Sequence, residues 1–529
     1  MSAVVNPDVL QSAPWGRWLY SLLGASSYGH FVVTFSLLIA GLYLFKGAYS
    51  YFTSRRLSYF KTNTQIALTD RLFRGYLYKP YLYHLHKSSS EILQSVSQDT
   101  QRMLSAVTSV VGITSESLVA LFLLLFLLYI SPWATLMAAV LIVGVLMLVN
   151  RVISKSILAA GQETRKEYVH MLKGVQQGLG GLKNTKTNRK ERFFADAFKN
   201  HYANFSAASR KYTLMAQIPQ IAVETVSLAG CFFIMAFLAW RQKDMLSLLP
   251  ILGTFALAAV RLMPAANRIN RQLTDLHYTR PYVEATCKAL AETKEAWDSH
   301  RGQEEACRVQ AEPLSKGVEV RHVTFAYPEQ QKPLFTDKSL FIEAGKATAL
   351  VGPTGAGKTT MADILLGLLQ PNEGVVLADG KDIRTHALWW AGQLGYVPQS
   401  IYLSDTSLRE NVAFGLDVDT IDDELVWNCL KEANIADFVA SLPNGLGTKV
   451  GERGVRLSGG QRQRIGIARA LYTNPSFIVL DEATSSLDTD TEQVIMDAIY
   501  HLAGKKTLLI IAHRLSTIQK CDKVYEITQ

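Results

Sequence analysis

The most constraining feature of this sequence is the stretch G-P-T-G-A-G-K-T-T at residues 352–360, which matches the pattern G-x-x-x-x-G-K-[ST] in full. An apolar run at residues 347–351 is typical of a strand, and residues 361–369 have helical spacing. Strand, glycine-rich loop and helix therefore follow in the order that a phosphate-binding loop requires. In such a loop Lys358 reaches the β- and γ-phosphates and Thr359 binds Mg²⁺. The loop residues predicted to bind a nucleotide are Gly352, Pro353, Thr354, Gly355, Ala356, Gly357, Lys358, Thr359 and Thr360.

Composition indicates a chain that is partly embedded in a membrane and partly soluble. Hydrophobic residues make up 48% of the 529 residues, and mean hydropathy is slightly positive. The net charge of +9 does not indicate a nucleic-acid partner, because the basic residues concentrate in particular loops rather than in an arm or a tail. The five cysteines are scattered and lack C-x-x-C spacing, so neither a disulfide framework nor a zinc site is predicted.

Five apolar stretches are long enough to cross a bilayer as helices, at residues 31–52, 113–130, 133–152, 218–240 and 246–262. Lys and Arg crowd the two long loops, 53–112 and 153–213, and nearly vanish from the short ones. By the positive-inside rule both long loops lie in the cytoplasm, together with the phosphate-binding loop. Five spans then put the N-terminus outside, so we expect a further helix to precede this chain.

The sequence predicts a transmembrane domain at residues 1–283, a charged linker at 284–316 and a second domain at 317–529. In the second domain short strands alternate with helices, which indicates an α/β nucleotide-binding fold. Near the N-terminus, residues 15–23 include two Trp, a Tyr and three Leu. This stretch is compatible with a helix at the membrane interface and equally with a small buried helix.

Three more motifs in the second domain concern phosphate chemistry. Residues 477–482 read F-I-V-L-D-E, an apolar strand that ends in two acids, and a second apolar strand ends in His513. Beside a phosphate-binding loop, one such carboxylate can hold Mg²⁺ and the next can activate water, which makes Asp481 and Glu482 candidates. The segment L-S-G-G-Q at 457–461 opens a helical run and lies too far along the chain to be a second phosphate loop.

The order of these motifs resembles the nucleotide-binding domain of ABC transporters over residues 318–529. The resemblance implies roles for five side chains: adenine stacking for Tyr327, Mg²⁺ sensing for Gln399, Mg²⁺ binding through water for Asp481, polarisation of the attacking water for Glu482, and a γ-phosphate contact for His513. The implied catalytic residues are thus Glu482, His513 and Lys358, and the implied metal ligands are Thr359, Gln399 and Asp481. ATP and Mg²⁺ are the implied cofactors.

The same resemblance implies a dimer, since the family closes two such domains head to tail and this chain holds one. The residues of one subunit that would complete the ATP site of the other are Ser458, Gly459, Gly460 and Gln461, with Asp488 in the S-S-L-D segment also implied to bind nucleotide. Both ATP sites of a homodimer would be able to hydrolyse ATP. The exporter-type layout further implies that loops near residues 81–88 and 181–190 supply short helices that dock on the nucleotide domains.

Ionisable residues inside the predicted spans are candidates for contact with a transported molecule, because each is costly in lipid. Arg261 and Arg268 are seven residues apart and therefore share one helix face. With Lys46, they could bind an anionic headgroup such as a pyrophosphate. The alternative is that the arginines reach lipid phosphates or pair with Glu116 or Glu224.

Residues 260–269, together with patterns in both domains, resemble bacterial lipid-linked oligosaccharide flippases of the PglK type. This resemblance implies a homodimer in the bacterial inner membrane, with its ATP-binding domains in the cytoplasm, that turns a polyprenyl-pyrophosphate-linked oligosaccharide across the bilayer. It also implies six spans where five are visible. The competing interpretation is an exporter of lipid A-like lipids or hydrophobic drugs. A non-transporting ABC ATPase that acts on nucleic acid is disfavoured by the spans.

Overall fold

The computed structural model of the chain describes residue 23 and residues 27–130, 132–240, 245–300, 313–330, 332–451, 454–482, 489–512 and 518–528. The chain divides into two compact units. The helical unit comprises Met1–Tyr78 and Lys87–Trp297, and the sheet unit comprises Lys79–His86 and Asp298–Gln529. Apart from Leu23, the aromatic stretch predicted at residues 15–23 lies outside the described residues.

Long helices form the helical unit. The helices described up to residue 300 are α1 (Tyr28–Leu77), α2 (Tyr81–His86), α3 (Ser89–Gln94), α4 (Thr100–Ile130), α5 (Pro132–Gly180), α6 (Leu182–Thr187), α7 (Glu191–Trp240) and α8 (Met245–His300), with a π-helical turn at Ser95–Asp99 between α3 and α4. Helix α2 belongs to the sheet unit and α6 to the helical unit. Helix α8 continues to His300, so the first part of the stretch predicted as a linker, residues 284–316, is helical.

Three helices in the described part of the chain are long and apolar enough to cross a membrane: Gly29–Leu77, Ser89–Tyr129 and Thr135–Gly180. They overlap the predicted spans 31–52, 113–130 and 133–152. The predicted spans 218–240 and 246–262 fall on α7 and α8, where many side chains lie outside the described residues. A helix of 50 residues such as α1 is about 75 Å long, against about 30 Å of bilayer hydrocarbon. The polar ends of these helices therefore extend into water.

The helical unit is held together by small apolar clusters and by buried polar pairs. One cluster joins four helices through Leu127, Ile142, Val223 and Leu262. Close approach of α5 to α8 requires glycine at position 161, since a Cβ atom there would lie 2.2 Å from the backbone oxygen of Tyr278. Backbone contact of this kind fixes the spacing of the two helices.

A buried ion pair links the π-helical turn to α5. The Asp99 carboxylate is fully buried and accepts hydrogen bonds from Arg165 Nη2 at 2.8 Å and from Arg165 Nε at 3.2 Å. Gln94 Nε2 donates to Asp99 Oδ1 at 3.2 Å and to the Arg165 carbonyl at 3.1 Å. A buried charge pair with this many hydrogen bonds specifies one arrangement of the segments, because removing either partner would leave a charge uncompensated.

A second polar contact line joins α4 to α8 in antiparallel register. Ser109 donates to Asp275 at 3.0 Å, a Cβ atom on Gly112 would overlap the Gln272 amide at 2.4 Å, and Glu116 Oε1 lies 2.7 Å from Arg268 Nε. Each pair is one helical turn from the next. We call this line, residues 109–116 of α4 and 268–275 of α8, the α4–α8 seam.

Two sheets form the core of the sheet unit. The antiparallel sheet has strand order β2-β1-β4-β5, and the parallel sheet has order β6-β7-β8-β3-β9. The strands are β1 (Gly317–Phe325), β2 (Phe335–Glu343), β3 (Ala347–Val351), β4 (Glu373–Ala378), β5 (Lys381–Asp382), β6 (Leu394–Val397), β7 (Phe477–Asp481), β8 (Thr507–Ile511) and β9 (Lys523–Glu526). Strands β7 and β8 are buried on both faces, which explains their continuous apolar sequences.

Helices cover the parallel sheet. They are α9 (Lys358–Leu365), α10 (Ala387–Ala391), α11 (Leu408–Val412), α12 (Asp423–Glu432), α13 (Ala436–Ser441), α14 (Gly459–Tyr472) and α15 (Thr489–Tyr500). Helix α2 packs Leu82 against the core that β1 and α9 share, and His86 Nδ1 lies 3.3 Å from Glu329 Oε1. Because parallel strands end at one edge, β3, β7 and β8 bring their carboxyl ends together.

Candidate nucleotide-binding site

The loop between β3 and α9 has the backbone of a phosphate cradle. Gly352, Gly355 and Gly357 have φ values of 145°, 85° and 96°, which residues with a Cβ atom rarely adopt. At Gly352 a Cβ atom would also lie 2.3 Å from the Ile527 carbonyl oxygen. The predicted glycines are therefore required for the loop itself, which curls its N–H groups around the space before α9.

Lys358 lies in the first turn of α9 and is 5% exposed. Its ammonium group donates to the carbonyl oxygens of Gly352 at 2.9 Å and Pro353 at 3.0 Å. These two bonds hold the Lys358 side chain back along the loop, at the helix N-terminus where the macrodipole favours anions. The charge is thus placed beside the position that the loop reserves for phosphate.

The end of β7, the first turn of α9 and the segment after β6 supply the polar side chains of an oxygen-rich corner. Asp481 is the last residue of β7 and is buried, and its Oδ1 lies 3.5 Å from Thr359 Oγ1. Glu482 follows with φ of 47° and is fixed by its N–H bond to the Ile511 carbonyl at 3.1 Å. Gln399 Nε2 donates to Glu482 Oε2 at 2.6 Å. Hydroxyl, carboxylate and amide oxygens are the ligands that Mg²⁺ prefers, so Thr359, Asp481 and Gln399 fit a magnesium ion.

Tyr327, predicted to stack on adenine, is held at the same loop. Its hydroxyl lies 3.1 Å from the Thr360 hydroxyl and shares a hydrogen bond with it. Its ring packs edge-on against Phe325, with centroids 5.0 Å apart. The Tyr327 ring is consequently held by both the antiparallel sheet and α9, and its stacking on adenine stays a prediction.

Sequence reasoning missed Asp363, one turn beyond Thr359 on α9. Burial, and then the charge of Asp481, raise the pKa of Asp363 to about 6. Burial also raises the pKa of Tyr396, with further contributions from Asp481, Asp363 and Tyr81. A single acid within the apolar run M-A-D-I-L-L was the available signal. The corner therefore holds one more carboxyl group than the motifs indicate.

The L-S-G-G-Q segment starts α14 with a capping box. Gln461 N donates to Ser458 Oγ at 3.2 Å, and Ser458 N donates to Gln461 Oε1 at 2.8 Å. Helix α14 packs against α11, α12 and β6. Within the described residues no hydrogen bond joins Ser458, Gly459, Gly460 or Gln461 to the phosphate-binding loop of the same chain.

The remaining predicted site residues are only partly described. His513 and Asp488 lie outside the described residues, as does the side chain of Arg261. Lys46 Nζ lies 5.8 Å from the centre of the Tyr43 ring. Arg268 forms the ion pair with Glu116 that the sequence left open as an alternative, and Glu224 accepts a hydrogen bond from Gln220 at 3.0 Å.

Comparison with known proteins accounts for both units. The model of the ABC transporter transmembrane region matches residues 8–260, and the ABC transporter model matches residues 335–485. The chain is an ABC exporter half-transporter. The expected fold class, an exporter-type helical membrane domain followed by an α/β ABC nucleotide-binding domain, is confirmed.

Relatives of this ABC exporter span most of its length. The ATP-dependent lipid A-core flippase of Pseudoalteromonas atlantica is 27% identical over 510 residues, covering 96% of this chain and 84% of the relative. That of Escherichia coli K12 is 29% identical over 498 residues, covering 93% and 83%. A solved structure of a bacterial Atm1-family ABC exporter with ATP bound has a TM-score of 0.72 and 25% identity, covering 96% and 88%.

Proposed function

We propose that this ABC exporter uses ATP hydrolysis to move a lipid A-like phosphorylated glycolipid across a bacterial inner membrane. The observation that carries the cargo assignment is similarity over more than 90% of the chain, membrane part included, to proteins named lipid A-core flippases. This similarity supports the alternative given by the sequence, an exporter of lipid A-like lipids, more than it supports a flippase of polyprenyl-pyrophosphate-linked oligosaccharides. Multi-pass insertion with the ATP-binding domains in the cytoplasm agrees with the charge of the long loops.

The geometry of the nucleotide site supports separate roles for its side chains in binding phosphate, holding the metal and activating water. Lys358 would bind the β- and γ-phosphates, and Thr359, Asp481 and Gln399 would hold Mg²⁺, which would neutralise phosphate charge. Glu482 orients the attacking water and accepts its proton at the carboxylate that Gln399 now engages at 2.6 Å. The Gln399 amide thus occupies the Glu482 carboxylate in this structure, and a Gln399 side chain that instead held the metal would leave Glu482 free to act as the base.

We further propose that the working unit is a homodimer. Within the described residues, Ser458 and the following glycines make no hydrogen bond to the phosphate-binding loop of their own chain, which supports a site completed by a second copy. A helix N-terminus facing the γ-phosphate from the other subunit would add N–H donors where charge accumulates. Two copies would then enclose two equivalent sites.

The polyprenyl-pyrophosphate-linked oligosaccharide remains the second candidate cargo. The pattern at residues 260–269 in α8 favours it. Both cargoes carry phosphate next to sugar on a lipid anchor, so the chemistry required of the membrane domain is shared.

Reconstitution in vesicles tests the proposal. We expect ATP to drive lipid A from the leaflet that faces the nucleotide domains to the opposite leaflet, and we expect no movement with Glu482→Gln. A polyprenyl-pyrophosphate oligosaccharide in parallel vesicles decides between the two candidates. Hydrolysis of ATP without movement of either lipid would reject both cargoes and leave the exporter with another amphipathic substrate.

A further inference from the structure

One face of helix α1 carries a row of exposed aromatic rings that ends at two adjacent arginines. The residues of this face, which we call the α1 stripe, are Phe45, Tyr49, Phe52, Arg55, Arg56 and Tyr59. Apart from the arginine pair itself, neighbouring members are three or four residues apart, so all of them lie on one side of the helix. The rings of Phe45 and Tyr49 stack, with their centroids 6.4 Å apart.

Both arginines lie over aromatic rings of the stripe. Arg56 Cζ lies 5.1 Å from the centre of the Phe52 ring, and Arg55 Cζ lies 5.6 Å from the centre of the Tyr59 ring. A guanidinium group over a ring face keeps N–H donors at its edge, where they can bind phosphate oxygens. Within the described residues no carboxylate pairs with either arginine, and Asp70, the one acid in the sequence of α1, is bound to another arginine at 2.9 Å. The stripe therefore presents two positive charges to its surroundings.

The exposure and the length of the stripe match one leaflet of a bilayer. The exposed fractions of its four rings lie between 51% and 70%, on a helix that is apolar enough to cross a membrane. Phe45 precedes Arg55 by ten residues, or about 15 Å of helix, which is about half of the 30 Å of bilayer hydrocarbon. Because Lys and Arg crowd residues 53–112, the two arginines face the cytoplasmic leaflet.

We propose that the α1 stripe binds an anionic phospholipid of the cytoplasmic leaflet, with its phosphate at Arg55 and Arg56 and an acyl chain along the rings. Two guanidinium groups on one face offset the charge of a phosphodiester and supply its hydrogen-bond donors. A zwitterionic headgroup brings a cation to the same place, so its net attraction is weaker. The lipid is a bound neighbour of α1 rather than the transported cargo, and the inference does not depend on the proposed function.

Charge also disfavours a second copy of the chain as the occupant of this face. Pairing of two stripes across a two-fold axis would bring four arginines together. A phospholipid instead supplies a negative charge at the arginines and apolar chains along the rings, in the order in which the stripe presents its residues. The occupant that complements both parts of the stripe is therefore a lipid.

Native mass spectrometry of the detergent-solubilised exporter tests the proposal, with titrations of phosphatidylglycerol and of phosphatidylcholine that has the same acyl chains. We expect the tightest-bound phosphatidylglycerol to have a Kd about tenfold lower than that of phosphatidylcholine. Arg55→Gln combined with Arg56→Gln should raise the phosphatidylglycerol Kd by about tenfold and change the phosphatidylcholine Kd by less than about twofold.

Arg192→Gln combined with Lys199→Gln serves as the matched control. It removes the same charge from α7, where Lys199 lies about 28 Å of helix before the predicted span 218–240, and should leave both Kd values unchanged. Inorganic phosphate should compete poorly with phosphatidylglycerol, because it lacks the chains that contact the rings.

An unchanged phosphatidylglycerol Kd in the arginine double variant would overturn the proposal, and so would an equal loss in the control, which would indicate a general effect of net charge. Inorganic phosphate that competes at the concentration of the lipid would reject a lipid site in favour of a simple anion site. A double variant that becomes monomeric would assign the stripe to contact between copies instead. If the double variant does not accumulate, Phe52→Leu with Tyr59→Leu decides, since an unchanged Kd there would also reject the site.

Discussion

The nucleotide site and the α4–α8 seam are both lined by polar side chains, but they are partnered differently. In the nucleotide site Lys358 and Gln399 are already held by hydrogen bonds, and Ser458 by its capping box. In the seam one buried oxygen of Glu116 and one of Gln272 have no hydrogen-bond donor in the part of the chain that the structure describes. Hydrogen bonds hold the side chains of the nucleotide site in one geometry, whereas the buried acceptors of the seam carry a desolvation cost that no described donor offsets.

The largest expected effect concerns the nucleotide site, whose side chains are already hydrogen-bonded. Glu482→Gln keeps the shape of the side chain and the Gln399 neighbour but removes the carboxylate that accepts a proton. ATP turnover should fall by about 10²- to 10⁴-fold while ATP binding is retained. Phosphate release and binding of a fluorescent ATP analogue measure the two separately. Hydrolysis within threefold of the wild type would show that another group activates the water.

The next prediction tests the close packing of α5 against α8 at Gly161, outside the α4–α8 seam. Gly161→Ala places a Cβ atom 2.2 Å from the Tyr278 carbonyl and should destabilise the unit by about 1–3 kcal/mol. Gly144→Ala, on the same helix with no atom near its Cβ position, should stabilise by up to about 1 kcal/mol. Thermal unfolding in detergent compares them. Equal shifts for the two variants would contradict the close contact of α5 and α8.

Asp379 provides a partnered carboxylate outside the active site. Burial opposes its ionisation, but hydrogen bonds from the N–H groups of Ser315, Gly317 and Lys316 outweigh burial and hold its pKa below the usual value. A lowered pKa stabilises the fold above the unfolded-state value near 3.8 and loses that contribution as pH falls through the folded pKa.

Asp379→Ala should therefore cost about 1–3 kcal/mol at pH 7, and the difference should shrink below pH 4. Asp379→Asn is the milder control, because Asn tolerates the φ of 48° and retains one acceptor. Melting temperatures across a pH series measure both. A deficit for Asp379→Ala that stays constant down to pH 3 would exclude an ionic contribution.

The smallest expected effect concerns Asp363. Its pKa is raised to about 6, whereas the pKa of Asp379 is lowered, so its contribution to stability changes with pH in the opposite direction. The native state binds this proton more tightly than the unfolded state does, so stability falls as pH rises from about 4 to 6 and stays reduced above. Asp363→Asn should raise the melting temperature at pH 7.5 by about 2–4 °C, with a smaller difference at pH 5. A lower melting temperature at pH 7.5 would mean that the ionised carboxylate has a partner in the protein.

Sequence reasoning predicted the nucleotide site because each of its parts is a short local motif, although the motifs lie far apart along the chain. The phosphate-binding loop, the acidic end of β7 and the helix that starts at the L-S-G-G-Q segment each follow from a local pattern. The sequence could not decide which carboxylate pairs with Arg268. Glu116 and Glu224 both lie on other helices, and only the structure shows that Glu116 forms the ion pair. The unpaired acceptor on Gln272 depends on Gly112 in a segment 160 residues earlier, which no local pattern records.

Other differences arise from context rather than from residue type. Helix α2 belongs to the sheet unit, because Leu82 packs against the sheet core, as the expected docking of the loop near residues 81–88 implies, whereas α6 belongs to the helical unit. The charged stretch after residue 283 was predicted as a linker on composition, yet α8 continues through it to His300. Charge indicates exposure, and an exposed segment can still be helical when no Pro or Gly interrupts it.

The π-helical turn at Ser95–Asp99 shifts the helical phase between α3 and α4, so the side chains before and after it do not follow one α-helical periodicity. A π turn accommodates one residue more than an α-helical turn, so a helical wheel drawn through residues 89–130 is out of phase by about 100° on one side of it. Spin labels or cysteine pairs chosen from such a wheel would place Ser90 and Gln94 on the wrong face. Shortening the turn by one residue would rotate both away from Gln176 and Arg165, their hydrogen-bond partners on α5.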